Sequence, residues 1–263
     1  MPFTPSHAIV AVPLQRLGLP FAAVAAGAMT PDVAVFLPGV VDYGTTHSLR
    51  GVLTVDAALA VVLVLVWWVW LRGPVVDVAP AALRHRVDVR GQQPRGSLRW
   101  WALVVAGALL GAATHVGWDA FTHPGAWGPE HLPVLRTQVG PLSLTKWLQY
   151  ASGVLGLAGL LAWSWRQLRS RPAVPGEPQV LAGRSALRAL PVVGAGLGVA
   201  VSIATAGSAD GLHRALVRAV TSGGVGGALG VLTLAAGWTV MRRLERSRPG
   251  TVRPPAREGS TDR

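Results

Sequence analysis

His115, Asp119 and His123 stand four residues apart at the end of an apolar run, in the stretch His115-Val-Gly-Trp-Asp119-Ala-Phe-Thr-His123-Pro. On an α-helix, positions four apart share a face and lie about 6 Å apart along the axis. An imidazole and a carboxylate so placed make half of a divalent metal site. His123 lies about 12 Å from His115 on an ideal helix, so it needs either an unwound turn near Phe121 or a second ion. Pro124 stops the helix. The same residues also suit a metal-free role, as an interhelical hydrogen-bond cluster at a membrane interface.

Three further candidates lie upstream. His7 follows Thr4-Pro5-Ser6, a good helix start. Asp32 sits in the break Thr30-Pro31-Asp32, either as a metal carboxylate or as the cap of the short helix after it. His47, in Thr45-Thr46-His47-Ser48, precedes a long apolar span, and Asp56 one turn inside that span is a possible outer partner. Cysteine is absent, which excludes disulfides and thiolate ligands, so a metal here must use imidazole and carboxylate.

The elements that must position these residues read as membrane helices. The 263 residues are 51% hydrophobic and 14% charged, well below the charge fraction of a soluble domain, and several windows approach the ~20 apolar residues that cross a bilayer. The expected fold is an all-α polytopic membrane protein with about five full transmembrane helices and an N-terminal bent or re-entrant helical hairpin. The spans run over Val52 to Leu71, Leu98 to Trp118, Trp147 to Trp165, Leu190 to Ala206 and Ala219 to Met241. Residues 1–46 are three short apolar pieces broken by Pro13, Pro20, Pro31 and Pro38, which suits a hairpin better than a straight span. Residues 1–165 form the domain carrying the candidate metal site. A basic, solvated linker follows at 166–189, then a Gly-rich helix pair at 190–241 and a disordered basic tail at 242–263. Arg72 to Arg99 and Gly125 to Thr145 read as loops. The Gly cluster follows no strand and is for helix packing, not for holding phosphate.

The net charge is +12, yet most of the basic residues fall between Arg72 and Arg99, between Arg166 and Arg188, and beyond Arg242. Clusters beside apolar spans are orientation signals, so no nucleic-acid partner is expected, and the lipid bilayer is. With the three clusters and the C-terminus in the cytoplasm, His47, His115, Asp119 and His123 all reach the outer face. His7 and Asp32 join them if the hairpin enters and leaves on that side. The first Arg is Arg16, so no cleavable signal peptide is read. Arg greatly outnumbers Lys, as in a GC-rich bacterial genome, and a bacterial cytoplasmic membrane is the expected location.

Six ligands thus gather in the order His7, Asp32, His47, His115, Asp119 and His123. Mixed nitrogen and oxygen donors suit one or two zinc ions, with manganese or iron less suited. The expected function is a metal-dependent hydrolase of a phosphoester or lipid-linked ester. Asp32 and Asp119 are its catalytic carboxylates: Asp32 orients the activated water, and Asp119 is placed to bridge two ions. A metal-handling transporter would need polar residues continuing across the membrane, and only Asp56 does. A non-catalytic scaffold would use the same residues as interhelical glue.

The opening MPFTPSHA, the TPD break, THS before a long span and HVGWDAFTHPG together resemble a family of bacterial membrane proteins, domain of unknown function 4184. The resemblance covers roughly residues 1–165. That family looks akin to membrane-bound metal-dependent hydrolases, themselves similar to zinc-dependent phospholipase C and single-strand nucleases. By that likeness Asp32, His47, His115 and Asp119 would hold one zinc, His7 with bridging Asp119 a second, and His123 would be a third-site ligand. The later His-x-x-x-Glu pair of those soluble enzymes is missing here, since Glu130 and His131 are adjacent.

Overall fold

A computed structural model describes residues 4–87, 96–173, 180–181, 185–205 and 211–247. The chain is mostly helical. The longer helices are α1 (Phe21–Gly27), α2 (Leu49–Val78), α3 (Leu98–Thr122), α4 (Leu144–Ser170), α5 (Leu190–Ala204) and α6 (Leu212–Arg246). Among the described residues three stretches, Leu49–Val78, Leu98–Thr122 and Arg214–Arg246, are long and apolar enough to cross a membrane. Helix α4 is long, but Lys146, Gln149, Tyr150 and Ser152 dilute its hydropathy. Helix α5 is apolar but has only 15 residues.

The N-terminal stretch packs as short pieces. A 3-10 turn at Thr4–Val10 leads through Ala11–Leu14 to Gly18, whose φ of 82° reverses the chain. Helix α1 then lies between α2 and α3, and Ala23, Ala26, Ala60, Val64, Val104 and Ala108 form a core of small side chains there. Small residues let backbones touch. A Cβ at Gly27 would run into the Ala108 carbonyl, and one at Gly111 into the Val24 carbonyl. This crossing sets the Asp32 segment against the end of α3.

Several elements exceed the sequence expectation. Helix α2 continues past Leu71 to Val78, into the expected loop. Wider π geometry at Trp67–Leu71 precedes Pro74 and relaxes the clash that a helical proline brings. In the expected linker, Val180 and Leu181 donate backbone N–H bonds of 3.1 Å to the Asp77 carboxylate, and Leu181 is fully buried; these two residues dock there instead of being solvated. The expected loop 125–145 folds into a helix at Trp127–His131, a 3-10 turn at Pro133–Arg136 and a hairpin of β1 (Gln138–Val139) and β2 (Leu142–Ser143). Thr145 Oγ1 ties it down by donating to the Leu135 carbonyl at 2.6 Å. Helix α4 runs on to Ser170 and α6 to Arg246, so the starts of the expected linker and of the expected disordered tail 242–263 are helical; the tail from residue 248 onward lies outside the described residues, as do 174–179 and 182–184 of the linker.

Helices α5 and α6 pair antiparallel through glycine. A Cβ at Gly194 would meet the Gly226 carbonyl, at Gly198 the Ser222 carbonyl, and at Gly230 the Leu190 carbonyl. The pair joins the rest through Trp70 Nε1, which donates to Thr239 Oγ1 at 3.2 Å, and through Phe36 against Gly224.

Candidate metal centre

Helix α3 ends at Thr122, and His123 turns to extended backbone (φ −111°, ψ 135°), so its ring folds back toward Asp119 without unwinding near Phe121. His115 and Asp119 face inward from the last turns of α3. Asp32 reaches them from the 3-10 turn Thr30–Asp32. His47 comes from the end of Tyr43–Thr46, a turn started by Asp42, whose carboxylate accepts from Thr45 N. Thr46 Oγ1 donates to the Pro31 carbonyl at 2.8 Å and so ties the His47 turn to the Asp32 break. His7 arrives on Thr4–Val10 and stacks on His115, ring centroids 3.9 Å apart. All six sequence candidates are brought together.

The hydrogen bonds around the rim decide what the facing atoms can be. His115 Nδ1 lies 2.8 Å from the Ala28 carbonyl, which only accepts, so Nδ1 carries the proton. In a neutral ring Nε2 is then a bare lone pair, and it faces Asp32 Oδ1 at 3.6 Å and Asp119 Oδ2 at 3.4 Å. His47 repeats the pattern: Nδ1 lies 3.2 Å from the Tyr43 carbonyl, and Nε2 is 3.6 Å from Asp119 Oδ2. Thr4 Oγ1 donates to Asp32 Oδ2 at 2.6 Å, which turns Oδ1 inward. Asp32 Oδ1, His47 Nε2, His115 Nε2 and both oxygens of Asp119 are buried, with no hydrogen-bond partner among the described residues.

Orphaned buried lone pairs are costly, and here they converge. One ligand atom each from Asp32, His47, His115 and Asp119 lies within 4.8 Å of the others. Two ligands about 2.0–2.1 Å from a tetrahedral zinc lie about 3.4 Å from one another. The 3.4–3.6 Å separations match that edge and are too long for direct charge-assisted hydrogen bonds. The donor set therefore fits one zinc at these four residues.

His7 and His123 flank this group. His7 Nε2 is 3.8 Å from Asp119 Oδ1. Burial, with His115 beside it, pulls its pKa down to about 4, so its ring is neutral and able to ligate. Burial also lowers the pKa of His123. Its Nδ1 lies 3.4 Å from Asp119 Oδ2 and 3.2 Å from the Asp119 carbonyl. Lys146 Nζ donates to Gln149 Oε1 at 2.8 Å, which turns the amide nitrogen toward His123 Nε2 at 3.0 Å. An amide N–H only donates, so His123 Nε2 accepts and Nδ1–H points at Asp119. In this arrangement His123 Nδ1–H donates to the Asp119 backbone carbonyl and closes the end of α3; ligating through Nδ1 would require the Gln149 amide to turn over.

Sequence reasoning missed Thr4, the Ala28 carbonyl, Gln149 and Lys146. Lys146 did carry a signal, as the single lysine in a chain rich in arginine. Asp56 is buried in the π-helical stretch Val52–Asp56 with both carboxylate oxygens unpartnered among the described residues. Glu130 and His131 are exposed, and His131 stacks on Trp127. A groove of about 710 Å³ runs along α5 and α6 away from the histidines. A smaller cleft of about 280 Å³ has His7 in its wall.

No curated protein and no solved structure matches the chain. A family match covers residues 1–236 and so takes in most of the Gly-rich helix pair as well as the motif-bearing part. The chain belongs to the family described as Domain of unknown function (DUF4184).

Proposed function

We propose that the protein is a membrane-bound, zinc-dependent hydrolase of a phosphoester or lipid-linked ester. The observation that carries this reading is the convergence of five buried, unpartnered lone-pair atoms from Asp32, His47, His115 and Asp119. Four protein ligands would close a tetrahedral zinc, so water or substrate would enter at a fifth position, where the ion would polarise a carbonyl or phosphoryl oxygen and lower the pKa of bound water. The chain's own part is to hold four ligands rigidly. His115 and His47 are fixed in the Nδ1–H tautomer by backbone carbonyls, and Asp32 is turned by Thr4. Asp32 would orient the activated water in this scheme, and His7 with Asp119 Oδ1 would offer a second ion its place.

The topology proposed with it has five spans, with α4 and α5 joining the three apolar helices, and a re-entrant N-terminal hairpin. The basic segments and C-terminus lie in the cytoplasm and the centre on the outer face of a bacterial membrane. Kinship with membrane-bound metal-dependent hydrolases is part of the same proposal. One observation favours metal handling instead: Asp56 is buried and unpartnered below the centre. Beyond it Ala57–Val66 is wholly apolar, which gives a transported ion no path. Zinc-loaded protein in detergent should cleave a phosphodiester or ester panel, chelator should abolish the activity, and Asp119→Asn should lack it. No turnover of any panel member by a zinc-loaded wild type contradicts the hydrolase reading.

A further inference from the structure

The cleft of about 280 Å³ lies where the Thr4–Val10 turn crosses α3 and α4. Glycine makes the crossing close: a Cβ at Gly156 would sit 2.9 Å from the Ser6 carbonyl. Its lining is mostly apolar, with Ile9 and Trp118 among the residues, and Ser6, Gln149 and Ser152 add polar groups; His7 connects it to the centre. Trp118 Nε1 donates to Ser152 Oγ at 3.1 Å and so bridges α3 to α4 beside it. Asp32, His115 and Asp119 are themselves buried.

Depth in the membrane identifies the occupant. Trp118 lies one turn before Thr122, where the apolar stretch of α3 ends, and His47 lies just before Leu49, where that of α2 begins. The centre is therefore level with the ends of two membrane-crossing helices, the depth of lipid headgroups and of interfacial tryptophans. Ester and phosphoester bonds of a glycerophospholipid sit at this level. The cleft is too small for a whole lipid, but its mixed lining suits the ester region between a polar head and the first part of a chain.

We propose that this cleft is the substrate subsite of the centre and admits the ester region of a membrane phospholipid sideways, between the Thr4–Val10 turn, α3 and α4. The proposal rests on the hydrolase reading for the reaction, but not for the binding. Binding is tested in phosphatidylglycerol nanodiscs doped with a phospholipid carrying a diazirine near its headgroup. Photo-adducts are mapped by mass spectrometry in wild type, Gly153→Leu and Thr114→Phe, two variants that fill the cleft from opposite walls. Adducts on residues 6–10 and at Trp118 should fall by about tenfold or more in both variants, while zinc content and adducts along α5 and α6 stay at wild-type levels. Absence of cleft adducts in wild type, or their persistence in both variants, overturns the proposal. Headgroup release from phosphatidylglycerol is followed in the same discs. Cleft adducts without release uphold the subsite and contradict the hydrolase, whereas release undiminished in both filled variants upholds the hydrolase and overturns the subsite.

Discussion

At the scale of single residues, the centre is governed by where protons are not. Each imidazole of the four-ligand group gives its Nδ1 proton to a backbone carbonyl, so in the neutral ring the other nitrogen has only a lone pair to turn toward the carboxylates it faces. Outer partners of this kind typically carry 10–100-fold in metal affinity. Gln149→Leu, which frees His123, and Thr4→Val, which frees Asp32, should each weaken zinc binding by about 10–100-fold without unfolding the protein, as read by competition with a fluorescent chelator. The ligand types were legible in the sequence, because His-x-x-x-Asp at a helix end is a local pattern. The partners were not, since Ala28 with His115 and Lys146 with Gln149 and His123 are joined only by packing, and a backbone carbonyl leaves no mark in a sequence.

At the scale of elements, the site depends on how closely α1 and α3 cross. Gly27 and Gly111 leave no room for a Cβ against backbone, whereas Gly117, on the exposed side of α3, has nothing within 4 Å. Gly27→Ala and Gly111→Ala should each destabilise by about 1–3 kcal/mol through overpacking and lower the zinc content. Gly117→Ala should be neutral or stabilise by up to about 1 kcal/mol; thermal unfolding in detergent separates the cases. The long apolar helices could be read directly from hydropathy. Their ends could not: α2 passes Arg72 because π geometry accommodates Pro74, and the segment 125–145 folds through contacts such as Thr145 to Leu135 that periodicity does not report.

For the molecule as a whole, charge distribution and the position of the centre make one account. In the sequence the basic stretch Arg72–Arg99 joins α2 to α3, while the ligands sit at the opposite ends of these two helices. The absence of cysteine makes this measurable by single-cysteine labelling. In intact cells Val139→Cys, in the hairpin near the centre, should react with a membrane-impermeant maleimide, and Arg171→Cys, after α4, should react only once the membrane is opened. The reverse pattern would put the centre on the cytoplasmic side. The family match to residue 236 also makes the Gly-rich pair part of the shared fold, not an appendage.

The central claim is that the converging lone pairs exist to hold a metal ion. Metal analysis by plasma mass spectrometry of protein purified without chelator tests it most directly, beside His115→Ala and Asp119→Ala. The account predicts about one to two zinc ions per chain, lost in both variants while circular dichroism keeps its helical signal. A well-folded wild type carrying no stoichiometric metal would contradict it and leave the histidines and aspartates as interhelical hydrogen-bonding groups.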